Sequence, residues 1–127
     1  RLTTELAGDF AVPGSRLYDL GCSTATTLLN LDLTLPPGVA FVGVDNAPEM
    51  LAKARAKFAQ RGTHRDVQFV AADLQRDRVV EDASVVILLL TLQFIRPLNR
   101  EHVIRRIYEG MREQSALILV EKIIVDN

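Results

Sequence analysis

The sequence has almost no cysteine, almost no net charge and no long apolar run. Its single cysteine, Cys22, excludes an internal disulfide and a metal site built from several cysteines. A net charge of −1 gives no overall attraction to nucleic acid or to an anionic membrane surface. The longest apolar run, VVILLL at 85–90, is far shorter than the roughly 20 residues that a membrane-spanning helix needs. Since no basic-then-apolar leader opens the sequence either, these absences predict a cytoplasmic protein without a membrane segment.

The length and the composition favour one globular domain. The 127 residues are 48% hydrophobic and 24% charged, which is ordinary for such a domain and enough for a single core. We therefore interpret residues 1–127 as one domain. Because the sequence begins at Arg1 rather than at methionine and stops directly after a strand-like segment, we expect a piece of a longer chain.

Segments typical of strands alternate with segments typical of helices. The five strand-like segments are 16–22, 39–46, 67–74, 84–94 and 115–123. Between them we predict a weak helix at 23–33, a helix that Pro48 opens and Gly62 ends, and a helix that Asn99 caps. An apolar stripe on that last helix is predicted to face the core, and it consists of Val103, Ile104, Ile107, Tyr108 and Met111. This alternation predicts an α/β fold with a doubly wound, mostly parallel sheet.

Acidic and small residues follow the predicted strands at the points where each strand ends. Such sheets bind ligands beyond the carboxyl ends of their strands, where the strand order reverses. The four strand ends carry Asp19-Leu20-Gly21, Asp45-Asn46, Asp73-Leu74 and Thr91-Leu92-Gln93. Three of these clusters contain an acid, which favours a ligand rich in hydroxyl and amino groups.

The first strand end is typical of a nucleotide site. Gly21 permits a tight turn with no Cβ between the backbone and a ligand, and Ser23 and Ala25 keep the next positions small. The full dinucleotide pattern of three glycines is absent, which ranks a nicotinamide-dependent oxidoreductase last among the candidates. Asp19 would repel a phosphate here and would favour an ammonium or sulfonium group.

The later acids have two interpretations each. Asp45 lies 24 positions after Gly21, where a carboxylate accepts hydrogen bonds from a ribose diol. The alternative is that Asp45 only caps the helix at Pro48, and we favour the ribose because Asn46 is available as the cap. Asp73 either receives the amino group of an adenine or is a turn aspartate, and these two stay open.

Together these residues resemble the class I S-adenosylmethionine-dependent methyltransferases. Asp19-x-Gly21-x-Ser23-x-Ala25 is similar to their first motif, and Asp45 and Asp73 match the acids that follow their second and third strands. The resemblance implies a Rossmann-like class I methyltransferase fold, C-terminally truncated to about five of its seven strands. It also implies S-adenosylmethionine as the cofactor, with S-adenosylhomocysteine or carboxy-S-adenosylmethionine as related ligands.

Within that superfamily, "YDLGCS", "DNAPEM", "TLQF" and "EKI" resemble the carboxy-S-adenosylmethionine synthases, long labelled tRNA wobble-uridine oxyacetic acid methyltransferases. Those enzymes add a carboxylate derived from prephenate to the methyl group of S-adenosylmethionine. The resemblance implies that Gly21, Cys22 and Ser23 line the methionine part. Asp45 and Asn46 would hold the ribose, and Asp73 and Leu74 would flank the adenine. Gln93 would lie near the acceptor as a positioning residue.

The sequence departs from the synthases at three places, and other functions stay open. Ala25 replaces a glycine, Leu89 stands where the synthases carry an asparagine, and "EQS" at 113–115 replaces Pro-Gly-Gly. The alternatives are an ordinary methyltransferase acting on a small molecule or tRNA, and a non-catalytic domain that uses the fold for binding or assembly.

A group of arginines on the last helix and nearby is interpreted as a solvated face in preference to a tRNA surface. It consists of Arg96, Arg100, Arg105, Arg106 and Arg112. An exposed "ALILV" edge at 116–120 predicts that further sequence, or a second copy in a homodimer, covers it.

Overall fold

Helices and strands alternate along the chain in this computed structural model, which describes residues 2–89 and 91–120. The elements in chain order are α1 (Leu2–Phe10), β1 (Arg16–Leu20), α2 (Thr26–Asp32), β2 (Ala40–Asp45), α3 (Pro48–Arg61), β3 (Val67–Ala71), β4 (Ala83–Leu89), a 3-10 turn (Leu92–Phe94), α4 (Pro97–Glu109) and β5 (Met111–Val120). No helix within the described ranges has both the length and the apolar character needed to cross a membrane.

The five strands form one sheet in the order β3-β2-β1-β4-β5, and every neighbouring pair is parallel. The predicted α/β fold with a doubly wound parallel sheet is therefore confirmed. The order reverses between β1 and β4. The pairing of β1 with β2 continues to Leu20 and Val44, whereas the pairing with β4 ends one residue earlier, at Asp19 and Ile87. The two central strands thus separate at their carboxyl ends and leave a crevice.

Helices cover both faces of the sheet, and β4 shows why its sequence does not alternate. Val85 and Ile87 belong to the apolar cluster that packs under α1, α2 and α3. Val86 and Leu88 belong to the cluster on the opposite face, under α4. Successive side chains of a strand point to opposite faces, so a strand that is buried on both faces is apolar at every position.

Several predicted boundaries shift for identifiable reasons. The helix α2 begins at Thr26 rather than at residue 23, because the residues before it form a turn with positive φ angles. The helix α4 begins at Pro97 with Arg96 at its N-cap, so the prediction that Asn99 caps it is wrong. Tyr108 is 73% exposed, so its place in the apolar stripe is also wrong. It lies 100° around the helix from the buried Ile107.

The strand predictions are correct in number, but the first four are too long at their carboxyl ends and the fifth begins too late. The strand β5 starts at Met111, which the apolar stripe had placed on the last helix. The third strand ends at Ala71, before a turn that Asp73 organises. The fourth ends at Leu89, and residues 92–94 form the 3-10 turn instead. Residues 121–123, predicted to end the fifth strand, lie outside the described residues. The helix α1 has no counterpart in the sequence predictions.

Candidate functional site

A cavity of about 600 Å³ lies at the carboxyl ends of the strands, where β1 and β4 separate. This volume falls within the roughly 300–1,000 Å³ of small-molecule sites. Six of the eight residues expected to bind a cofactor line it, namely Gly21, Ser23, Asp45, Asn46, Asp73 and Leu74. Gln93, the expected acceptor-site residue, lines the same cavity. Asp19 and Cys22 do not belong to its lining.

The turn after β1 is anchored to β2 and leaves no room for a side chain at Gly21. The amides of Gly21 and Cys22 both donate to the Val44 carbonyl, at 2.7 and 2.9 Å. Gly21 has a φ of 81°, in the left-handed region that side chains disfavour. A Cβ at this position would lie 2.5 Å from the Thr91 hydroxyl oxygen. Both the backbone angle and the close contact therefore require glycine.

The turn keeps a glycine-like backbone at two further positions that hold other residues. Ser23 and Ala25 have φ angles of 52° and 68°. A non-glycine residue in this region costs roughly 1–2 kcal/mol. The Ser23 amide donates to a carboxylate oxygen of Asp45, and the buried Ala25 donates its amide to the Cys22 carbonyl. These contacts hold both residues in the strained conformation.

Asp45 connects this turn to the start of α3. Its Oδ2 accepts from the Ser23 amide and its Oδ1 from the Ala47 amide, both at 2.9 Å. A carboxylate offers about four acceptor positions, so each oxygen keeps one for a ligand hydroxyl. The capping interpretation of Asp45 is wrong, and Asn46 is not the cap either, because the N-cap residue of α3 is Ala47 and no side-chain capping hydrogen bond is formed. Asp45 instead fixes the Ala47 amide just before α3, and the same residue lines the cavity.

Asp73 organises its own turn as well as lining the cavity. Its Oδ1 accepts from the Gln75 amide at 2.9 Å, and its Oδ2 lies 3.3 Å from the Arg76 guanidinium. Its backbone amide donates to Asp77 at 2.8 Å. The turn interpretation of Asp73 is confirmed, and the same residue lines the cavity after β3.

Gln75 is a lining residue that the sequence analysis missed. Its side-chain oxygen accepts from the Asn99 amide group at 2.9 Å and from the Arg96 backbone amide at 3.3 Å. This links the turn after β3 to the first turn of α4. No local pattern marks a glutamine 24 positions from its partner, so only the folded chain reveals the link. Phe94 and Ile95 were also missed and add apolar surface to the cavity.

Asp19 and Cys22 lie beneath the cavity and are buried. Asp19 is 4% exposed, and its burial raises its pKa to about 7, with a further contribution from the nearby Asp45 carboxylate. Burial also raises the pKa of the Cys22 thiol to about 12, with Asp19 and Asp45 contributing. A Cβ at Gly43 would lie 2.9 Å from the Cys22 sulfur, so the thiol packs on β2. It is a protonated packing group rather than a nucleophile.

The charged residues that line the cavity are both acidic, and one of them, Asp73, is paired with Arg76 outside the lining. Asp45 and Asp73 line it, and none of its lining residues within the described ranges is lysine, arginine or histidine. Such a lining suits a neutral or cationic ligand and would repel a pyrophosphate.

Comparison with known proteins agrees with this geometry. The sequence pattern of the methyltransferase domain matches residues 17–114. The carboxy-S-adenosyl-L-methionine synthase of Methylococcus capsulatus is 50% identical over 98% of this chain and 52% of its own length. The chain thus spans about half the length of the curated relatives that it matches.

Two solved structures show the same fold. Coclaurine N-methyltransferase bound to N-methylheliamine and SAH has a TM-score of 0.77 and 18% identity, over 93% of this chain and 34% of that one. An S-adenosylmethionine-dependent methyltransferase from Clostridium acetobutylicum has a TM-score of 0.75 and 18% identity, over 93% and 46%. At this identity the likeness establishes the fold alone, and the predicted Rossmann-like class I methyltransferase fold is confirmed.

Proposed function

The chain belongs to the methyltransferase domain family, and we propose that it binds S-adenosylmethionine in the cavity at the carboxyl ends of its strands. The observation that carries this proposal is that six residues from three strand ends, chosen from the sequence, line one cavity of suitable size. S-adenosylhomocysteine and carboxy-S-adenosylmethionine share the nucleoside part and would use the same contacts.

We propose a partner in the cavity for each part of the cofactor. Asp45, held by two backbone amides, would accept the ribose hydroxyls. Asp73 and Leu74 would flank the adenine, and the turn at Gly21 and Ser23 would face the methionine part. Asp19 and Cys22 would support that turn from below without reaching the cavity surface. The chemistry that the cofactor supplies is a carbon activated by its sulfonium, so the protein has to hold the reactants and exclude water.

The charge of the site supports a sulfonium ligand. Two carboxylates line the cavity, and its described lining contains no cationic side chain. A cation is attracted to this lining more strongly than a neutral thioether of the same shape. S-adenosylmethionine should therefore bind more tightly than S-adenosylhomocysteine.

For the whole protein we propose the synthesis of carboxy-S-adenosylmethionine, with prephenate as the source of the carboxylate. The support is the 50% identity to a protein of that name over 98% of this chain. Prephenate rests on the resemblance, and a role in tRNA modification would follow indirectly from the product. Direct tRNA contact has less support, because Arg105 and Arg112 are paired with Glu101 and Asp82.

An ordinary methyltransferase acting on a neutral small molecule is the second candidate. The described lining contains no cation that would hold a carboxylate-bearing substrate, and Leu89, Phe94 and Ile95 make part of it apolar. Gln93 would position the acceptor in either case. Incubating a longer chain, extended to the length of the curated relatives, with S-adenosylmethionine and prephenate, followed by mass spectrometry of the nucleosides, distinguishes the two reactions.

We also propose that residues 1–127 act as one cofactor-binding domain whose β5 edge is covered by further polypeptide. Leu119 and Val120 are 45% and 42% exposed at this edge. Either the rest of the chain or a second copy in a homodimer would cover them. Sedimentation of the 127-residue chain and of the longer chain tests this. If a second copy covers the edge, the 127-residue chain should be a dimer. If only further sequence covers it, the 127-residue chain should be a monomer. The cytoplasmic location stays a prediction from the sequence.

Calorimetric titration with S-adenosylhomocysteine tests cofactor binding. Asp45→Ala should weaken binding more than tenfold, since a charge-assisted contact is worth about 2 kcal/mol. Asp45→Asn keeps the size and one acceptor oxygen, and should weaken binding less. Asp66→Ala removes an exposed carboxylate elsewhere and serves as the matched control. Absence of binding by folded samples of both the short and the longer chain would overturn the proposal.

A further inference from the structure

Thr91 joins the ends of the two central strands at the base of the cavity. Its hydroxyl lies 2.9 Å from the Leu20 carbonyl oxygen and 3.2 Å from the Leu89 carbonyl oxygen. The hydroxyl has one hydrogen to donate, and the shorter distance is to Leu20. Leu20 is 71 positions away in sequence, so this contact exists only in the folded chain.

The contact lies where the backbone pairing of β1 with β4 has stopped. The last pair is Asp19 with Ile87, so Leu20 is the first residue of β1 beyond it. The Thr91 hydroxyl therefore donates a hydrogen bond to the Leu20 carbonyl in place of a backbone amide of β4. It does so one residue before Gly21, at the start of the turn that carries the Cys22 and Ser23 positions.

Thr91 also limits the space beside this turn. A Cβ built on Gly21 would lie 2.5 Å from the Thr91 oxygen and 2.9 Å from its methyl carbon. On the other side, the Gly21 and Cys22 amides are attached to Val44 of β2. The turn is thus held by two backbone hydrogen bonds to β2 and by one side chain from the segment that follows β4.

We propose that Thr91 is a positioning residue that sets the location of the Gly21 turn and thereby the affinity for the cofactor. This inference rests on the proposed cofactor site. Without the hydroxyl, the Leu20 carbonyl would lose its link to β4, and the turn would be held from β2 alone. A buried carbonyl without a donor is costly, so the turn would shift towards water. The Ser23 amide, which orients Asp45, would shift with it.

The test compares Thr91→Val, which keeps the shape and removes the hydroxyl, with Thr91→Ser, which keeps the hydroxyl. Binding of S-adenosylhomocysteine is measured by calorimetry on folded samples of the chain. We expect Thr91→Val to weaken binding about tenfold and Thr91→Ser to bind within about threefold of the unmodified chain. Thr34→Val is the matched control, because the Thr34 hydroxyl also faces a backbone carbonyl, that of Leu31, far from the cavity. It should bind like the unmodified chain.

Hydrogen exchange without ligand gives a second measurement that does not depend on binding. Thr91→Val should speed exchange in the segment 20–25 while the other strands exchange as before, and Thr91→Ser should restore the slow exchange. Unchanged affinity and unchanged exchange in Thr91→Val would overturn the inference while leaving the cofactor site intact. Equal weakening by Thr91→Val and Thr91→Ser would also overturn it, since the hydroxyl would then not matter. If neither the unmodified chain nor a chain extended to the length of its relatives binds the cofactor, the proposed function itself fails.

Discussion

Replacing Asp19 with asparagine should change how the stability of this protein depends on pH. Asp19 is buried beneath the cavity, and its pKa is raised from 3.8 to about 7, mainly by burial and then by the Asp45 carboxylate. The folded state therefore prefers the neutral carboxyl, whereas the unfolded chain ionises it near 3.8. A carboxyl of this kind favours folding fully below pH 3.8, and its contribution is lost as the pH rises to about 7.

The size of the effect follows from the two pKa values. One pKa unit corresponds to about 1.4 kcal/mol, so the shift from 3.8 to about 7 corresponds to roughly 4 kcal/mol of lost stability above pH 7. Asparagine has the same shape and does not ionise, so Asp19→Asn avoids this loss. The gain in stability from the substitution should therefore grow by about 3 kcal/mol between about pH 5 and about pH 8. That is a large part of the 5–15 kcal/mol typical of a domain.

Urea unfolding at several pH values measures this gain directly. The quantity to compare is the unfolding free energy of Asp19→Asn minus that of the unmodified chain at each pH. Asp66→Asn makes the same chemical change at an exposed carboxyl and controls for effects of the substitution itself. A difference for Asp19→Asn that stays constant or shrinks as the pH rises would refute the reasoning, because the buried carboxyl would then already be ionised in the folded state.

Three further predictions concern the turn, the far end of the sheet and the charge of the site. Ser23→Gly should stabilise the chain by about 1 kcal/mol in urea unfolding, because it relieves a φ of 52° at an exposed residue. Ala25→Gly should gain less, because it also removes a fully buried methyl group. Arg65→Met should destabilise by about 3–5 kcal/mol, because it removes a buried guanidinium that bonds to the Asp32 carboxylate and to three backbone carbonyls, and a smaller loss would contradict this. In calorimetry, S-adenosylmethionine should bind more tightly than S-adenosylhomocysteine, and both high salt and Asp45→Asn should reduce this preference. Equal affinities at low salt would count against the role of the carboxylates.

Much of the fold could be predicted because its signals are local. A strand buried on both faces needs an apolar residue at every position, and 85–88 has one. A left-handed C-terminal residue favours glycine, and Gly62 ends α3 with a φ of 74°. The errors have physical causes too. Tyr108 has roughly the spacing of the apolar stripe, but it lies outside the buried face of α4. The Asn99 side chain donates to Gln75 instead of capping the helix.

The sequence by itself determined three features: the doubly wound parallel sheet, the glycine turn after the first strand and the acids at the strand ends. These depend on the type of each residue and on the spacing to its neighbours in the chain, and parallel strands bring their ends to one edge. Only the tertiary structure decided how those residues act. Asp45 gains its two amide donors, Gln75 its link to α4, and Thr91 its contact with Leu20 through folding. The pKa of Asp19 is raised because burial removes water and places a second carboxylate nearby, and neither condition is encoded in the neighbouring residues.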